Sequence, residues 1–261
     1  MVNPCHGTAG ILTPVPRDWD ATTYDRIADP QFRWGVAVVE RMDLADGETV
    51  LDAGCGSGRV TEALLERFPQ ANVVALDGSP SMLEQARARL EPFADRVAFV
   101  EADLHEPLPV DPVDAVFSTA TFHWVPDHDR LFANLAGAIR PGGRLVAQCG
   151  GAGNLASVVA ALEQLGAATF EGNKVFASAE ETTARLRRAG FDEIRCWLHD
   201  EPTPFDRLEE LATFLKTVAL GSHVVSMSAE EADAFALEVA RRLPRLELDY
   251  VRLNIEARRA G

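Results

Sequence analysis

Cysteine is scarce and unpaired in this chain. Its four cysteines, Cys5, Cys55, Cys149 and Cys196, are scattered with no Cys-x-x-Cys pair, so there is no sign of a disulfide frame or a thiolate zinc site. Basic residues are also in deficit. Lysine and arginine number 25 against 40 acidic residues, and the formal charge of −15 repels nucleic-acid backbones and anionic lipid. No apolar run approaches the roughly 18 residues that a membrane-spanning helix needs. The opening MVNPCHGTAGILTPVPRDW lacks the basic start and long apolar centre of a signal peptide. These absences point to a cytoplasmic protein with a small-molecule partner, no nucleic acid and no membrane, and they leave the oligomeric state open.

What the chain does have is apolar residues in alternating blocks. At 47% hydrophobic, its 261 residues suffice for one large α/β core. Strands are expected over 49–53, 72–76, 97–100, 113–119 and 143–149, separated by amphipathic helices carrying Val60, Leu64 and Phe68, then Leu83, Ala86 and Leu90, then Leu131, Leu135 and Ile139. Near-continuous apolar strands alternating with helices imply a parallel sheet covered on both faces. Ser79 and Pro80 read as N-cap and first helical residue, as do Asp29 and Pro30. After 150 the alternation loosens. A helix is expected over 180–190, a strand over 192–200, two helices over 206–243 with a break near Gly221 and Ser222, and one long last strand over 246–259. The expected fold is thus a doubly wound, Rossmann-like α/β sheet of about seven strands, mostly parallel with an antiparallel last strand, plus a helical cap. Residues 1–18 are expected as a flexible N-terminal segment ahead of a domain at 19–261, with cap helices expected at 19–44 and a helical lid insert at 206–243.

The densest chemical signal is TVLDAGCGSG, residues 49–58. A strand that runs through closely spaced glycines into a helix brings bare backbone against a ligand. A dinucleotide fingerprint needs its third glycine three places after the second. Counting from Gly54 and Gly56, that place holds Arg59; from Gly56 and Gly58 it holds Thr61, so neither register fits a nicotinamide dinucleotide. The pattern present is Asp52-x-Gly54-x-Gly56-x-Gly58, followed by Asp77 at the end of the next strand. In an open parallel sheet, ligands lie beyond the carboxyl ends of the strands. Asp77 there can accept from both hydroxyls of a ribose, since a carboxylate offers two oxygens to a vicinal diol. It can alternatively serve only the turn before Pro80. Asp103 can accept from an adenine amino group while the Leu104 amide donates to the ring, or it is only a solvated loop acid.

The segments VLDAGCGSG, ALDGSPSML, FVEADL, DAVFSTATFHWV and IRPGGRLVAQ stand in the order of the motifs of class I S-adenosylmethionine (SAM)-dependent methyltransferases, which this chain resembles over roughly residues 20–260. Within them it is most similar to the small-molecule branch that includes trans-aconitate methyltransferase and related carboxyl methyltransferases. The resemblance implies SAM as methyl donor and S-adenosylhomocysteine as product. It implies that Gly54, Gly56 and Gly58 back the methionine part, that Asp77 binds ribose, that Met82 packs on adenine, and that Asp103 and Leu104 read the adenine edge. It implies too that a carbonyl near Thr119 or Ala120 faces the α-amino group, and that Asp52, Cys55 and Gly78, which fall within the same motifs, belong to the cofactor half.

On the substrate side the candidates are Tyr24, His123 and Trp124. His123 is placed either to act as general base for a hydroxyl or amine, or only to bond or pack against an acceptor that needs no base, such as a carboxylate. Trp124 reads as a pocket wall. Trp19, Phe32 and Trp34 read as ordinary packing, and Lys174, Arg207 and Lys216 as cations that could meet an anion but are more commonly solvated. The fourth strand ends in Ser118-Thr119-Ala120-Thr121 rather than the Asn-Pro-Pro-Tyr type of signature of nucleobase amino methylation, and no carboxylate cluster suggests a metal. The leading expectation is metal-free O-methylation of a small carboxylate or hydroxyl by in-line displacement. N- or C-methylation of a small metabolite, and a SAM-binding protein without turnover, are the alternatives.

Overall fold

In the computed structural model, residues 29–170 and 174–261 are described; Trp19, Tyr24 and the segment 1–18 lie outside them. Helix α1 (Asp29–Val39) opens the described chain. Then follow β1 (Thr49–Ala53), α2 (Arg59–Arg67), β2 (Asn72–Asp77), α3 (Pro80–Arg89), β3 (Val97–Glu101), β4 (Val113–Thr119), α4 (His128–Ala138) and β5 (Ile139–Gly150). These five strands are parallel neighbours in the order β3-β2-β1-β4-β5. The order reverses between β1 and β4, and there the glycine loop leaves the sheet.

Alternation within each strand serves two cores at once. Val50, Val73 and Ala75 face α1, α2 and α3, where Val38, Leu64, Leu65, Leu83 and Ala86 cover them. Leu51, Ala53 and Leu76 face the opposite side and pack with Leu131 and Leu135 of α4. Both faces being covered accounts for the near-continuous apolar strands. Ser79 caps α3 by accepting from the Met82 N–H, with Pro80 at the first helical position. Such a cap stabilises a helix by about 1 kcal/mol.

Beyond β5 the sheet becomes mixed. β9 (Val251–Arg259) runs antiparallel between β5 and β6 (Phe191–Asp200), completing seven strands. The single last strand expected over 246–259 is instead two: β8 (Glu247–Leu248), which pairs with β7 (Thr203–Pro204), and β9. Asp249, between them, is drawn aside to hold the start of α5 (Ala156–Gln164), a helix the sequence pattern did not reveal. Its carboxylate accepts from the Ser157 N–H at 2.8 Å and the Ser157 hydroxyl at 2.7 Å, and its carbonyl accepts from the Leu155 N–H at 3.0 Å. The first turn of a helix has N–H groups without intrahelical partners, and a distant carboxylate fills that need here.

Helix α6 (Ala179–Arg188) carries a Ser178–Glu181 capping box and gives way to Gly190 in a left-handed conformation. The insert at 206–243 is more broken than two helices. It comprises α7 (Leu208–Phe214), a π-helical turn Leu215–Ala219, α8 (Gly221–Val224) and α9 (Ala229–Arg242). Together with α5, Trp34 and Tyr250 it forms a third apolar core, separate from the two that sandwich the sheet.

Candidate functional site

A cavity of about 430 Å³ opens at the carboxyl ends of the strands, at the point where strand order reverses. Its size suits a small-molecule site. Gly54, Cys55 and Gly56 line it; Gly58 and Asp52 do not. The three glycines are needed for different reasons, and all three have positive φ. A Cβ on Gly54 would sit 2.3 Å from the Thr121 side chain, so this glycine lets β1 and the β4 loop approach. A Cβ on Gly58 would sit 3.3 Å from Ala86, so that glycine packs α2 against α3. Only at Gly56 would a Cβ meet nothing within 4 Å, leaving open space over the loop. Of the three glycines expected to back the ligand, Gly54 and Gly56 line the cavity and Gly58 lies against α3.

Asp52 lies behind the cavity wall, 2% exposed, and its Oδ2 accepts from the Thr61 hydroxyl at 2.7 Å, tying the end of β1 to α2. Burial pushes its carboxyl up to about 7, with the Thr61 bond pulling down and the Asp77 charge pushing up. Cys55 lines the cavity as a buried thiol held well above its ordinary pKa, chiefly by desolvation, so it is a wall and not a thiolate.

Asp77 and Asp103 both line the cavity, from the ends of β2 and the strand beside it. Asp77 Oδ2 accepts from the Gly56 N–H at 2.9 Å and Oδ1 from the Ser79 N–H at 2.8 Å. These bonds, with a third from the Gly78 N–H, hold the carboxylate between the glycine loop and the start of α3. A carboxylate has about four lone-pair sites, so a place remains for a ligand hydroxyl and the turn-holding and ribose-binding readings are compatible. Burial raises its pKa against the pull of these N–H groups. Asp103 Oδ1 accepts from His105 at 2.9 Å, through both the backbone N–H and the ring. Gly78, Met82 and Leu104 complete this end of the wall.

The end of β4 forms the opposite wall with Thr119, Ala120, His123 and Trp124. Ala120 adopts a φ of 55°, costly for a residue with a Cβ, and its N–H is held by the Gln148 carbonyl at 2.8 Å. The following 3-10 turn, Phe122–Trp124, presents His123, which stacks at 5.9 Å on Phe176. The Gly150 N–H donates to His123 Nδ1 at 3.3 Å. A neutral imidazole whose Nδ1 accepts carries its proton on Nε2. Burial, then the charges of Arg252 and Lys174, hold its pKa well below the ordinary 6.5. His123 is thus a neutral ring with an Nε2–H to offer.

Two cavity residues went unrecognised as site residues in the sequence. Lys174 is 8% exposed, with Nζ donating to the Ala219 carbonyl at 3.0 Å and lying over the rings of Trp124 and Phe170 at 4.4 and 4.1 Å. Arg252, 3% exposed, lies 4.5 Å over the Trp34 ring and donates from Nε to Gln148 at 3.3 Å. Arg252 occupies a polar position in an alternating strand and so reads as solvent-facing. Its burial follows from α1 covering this face of β9, with the Trp34 ring against the guanidinium, a placement that strand alternation alone does not express. Arg207 and Lys216, by contrast, pair with Glu210 and Asp233 outside the cavity. Phe32 lines the cavity, whereas Trp34 packs edge-on against Tyr250 at 4.9 Å.

A family model described as a methyltransferase domain matches residues 50–143, the stretch from β1 into β5 that builds the loop, Asp77, Asp103 and the His123 turn. Trans-aconitate 2-methyltransferase from Methylobacterium nodulans is 38% identical over 183 residues, 69% of this chain and 67% of that protein. The protein of the same name from an Azoarcus species is 42% identical over 130 residues, so the chain spans about half its length. Among solved structures, phosphoethanolamine N-methyltransferase 2 from Haemonchus contortus in complex with SAM superposes with a TM-score of 0.63 at 20% identity, over 92% of this chain and 56% of that one. Among the described residues, no helix is long and apolar enough to cross a membrane. With a glycine loop of non-dinucleotide spacing at the switch point of a seven-stranded sheet, and with such relatives, the chain belongs to the class I SAM-dependent methyltransferases.

Proposed function

We propose that the protein methylates a carboxylate oxygen of a small, multiply anionic acceptor. The observation that carries this is the meeting of two buried cations, Lys174 and Arg252, with a proton-donating His123 in one cavity. Two positive charges facing one cavity of low polarity attract negative charge there. A cationic wall of this kind disfavours an ammonium acceptor and favours carboxylates. The names of the relatives point the same way.

In this reading the cofactor half holds SAM. Gly54 and Gly56 give the backbone access, Asp77 accepts from the ribose hydroxyls, Met82 packs on adenine, and Asp103 and Leu104 meet its polar edge. Thr119 and Ala120 face the amino-acid end. When bound, SAM supplies a methyl group on a sulfonium, and its transfer to a carboxylate oxygen releases S-adenosylhomocysteine and moves no proton. Lys174 and Arg252 hold the acceptor's other carboxylates, and the His123 Nε2–H donates to the oxygen that is not methylated. Orientation and exclusion of water supply the rate. The insert at 206–243, whose Val218 and Ala219 line the cavity, acts as a lid over the acceptor end.

Single-turnover methyl transfer to trans-aconitate, a monocarboxylate, a catechol and a primary amine tests the reading, with methyl esters identified by mass spectrometry. Esterification of the tricarboxylate is expected. The rate should be flat above pH 6, because His123 stays neutral there. His123→Gln, which keeps a donor near Nε2, should change acceptor KM more than the chemical step. Turnover of the catechol or amine without any ester, or a loss of about 10²-fold in the chemical step of His123→Gln, would make His123 a base and overturn the assignment.

A further inference from the structure

Arg252 is the first member of a buried polar chain that crosses the sheet and ends at the surface. Arg252 Nε donates to Gln148 Oε1 at 3.3 Å, Gln148 Nε2 donates to Asn254 Oδ1 at 3.0 Å, and Asn254 Nδ2 donates to His199 Nδ1 at 2.8 Å. His199 Nε2 lies 3.2 Å from Glu201 Oε2. The members come from three adjacent strands. Gln148 of β5 is the register partner of Asn254 in β9, and Arg252 in β9 is the register partner of His199 in β6, the edge strand. Gln148, Asn254 and Arg252 are buried, while His199 has a side chain 39% exposed.

The direction of the chain is dictated at its ends. A guanidinium only donates and a carboxylate only accepts. Gln148 must therefore turn its oxygen to Arg252, which leaves its amide NH2 for Asn254. Asn254 must then turn its oxygen to Gln148 and its NH2 to His199. His199 must accept at Nδ1 and carry its proton at Nε2, toward Glu201. Reversing any one amide sets donor against donor at one end and acceptor against acceptor at the other, in a buried setting where an unmade hydrogen bond is costly.

We infer that His199, acting through Asn254 and Gln148, is a positioning residue for Arg252 and so for anion recognition in the cavity. The inference that Arg252 is held this way stands on the chain itself; its effect on acceptor binding rests on the function proposed above. If the His199 acceptor is lost, Asn254 Nδ2 keeps only the Arg252 carbonyl at 3.4 Å, so the Asn254 and Gln148 side chains shift to re-pair it and displace the oxygen that fixes the Arg252 Nε–H.

The test combines 15N NMR with kinetics on the full chain. In the wild type, His199 is expected as the Nε2–H tautomer; an Nδ1–H tautomer overturns the chain without any variant. In His199→Leu, the Arg252 Nε–H resonance should move. KM for trans-aconitate should rise about threefold to tenfold, the range given by loss of one hydrogen bond, while affinity for S-adenosylhomocysteine is unchanged. His199→Asn, which restores an acceptor at the same distance from the backbone, should return both toward wild type. An unmoved Arg252 resonance in a folded His199→Leu protein refutes the inference. A moved resonance with KM unchanged for every carboxylate upholds the positioning of Arg252 and refutes instead its contact with the acceptor.

Discussion

Asp52 and Asp77 each end or nearly end a strand beside the same glycine loop, yet their surroundings give them different work. Asp77 faces the cavity; Asp52 turns inward to Thr61 and titrates near 7 against an ordinary 3.8. Between those two values the folded protein retains a proton that the unfolded chain has released. Stability from this group is therefore present at low pH and lost as pH rises through about 7. Asp52→Asn keeps an oxygen for the Thr61 hydroxyl and removes the charge. The variant is expected to melt higher than wild type by several degrees at about pH 8, with a smaller advantage at about pH 5. Thermal denaturation across that range checks it, and an advantage independent of pH would show that Asp52 titrates normally.

Among elements, the least regular lie over the cavity. The π-helical turn Leu215–Ala219 ends in the carbonyl that accepts from Lys174, and Val218 and Ala219 face the cavity. A π turn leaves part of the helical hydrogen-bond ladder displaced and is found disproportionately at functional sites. Lid action there predicts slower amide exchange over 215–219 and in α9 when S-adenosylhomocysteine and an anionic acceptor are both added, and less slowing with either alone. Equal exchange in all states would reduce the insert to a fixed wall. Elements with strong local signals were readable in advance: β1 to β4 and the Ser79-Pro80 helix start fall within a residue or so of expectation. Helix α5 was not, because the Asp249 carboxylate that holds its first turn comes from far along the chain.

For the molecule as a whole, a formal charge of −15 repels itself in the compact state. Added salt screens that repulsion within about 10 Å at 0.1 M. Raising sodium chloride from about 20 to about 300 mM at pH 7.5 should increase the melting temperature by a few degrees. The increase should vanish near the isoelectric point of about 4.8. A melting temperature insensitive to salt at pH 7.5 would mean that the acidic residues are already balanced locally by ion pairs such as Arg188–Asp129.

The parallel half of the sheet, the glycine loop and the acids at the strand ends are legible in the amino-acid order, because each is written in local periodicity, spacing or turn chemistry. The positions of Arg59 and Thr61 already argue against a dinucleotide. Which of those residues reach the cavity depends on three-dimensional packing. Gly58 and Asp52 sit in the motif but serve α3 and Thr61, and that depends on neighbours brought from elsewhere in the chain. The anion-facing wall was likewise a matter of assembly. Lys174 lies in a stretch without periodicity, and Arg252 becomes a cavity residue only when β9 slots between β5 and β6 and both of its faces are buried. Long-range strand pairing sets that placement, and local pattern carries no record of it.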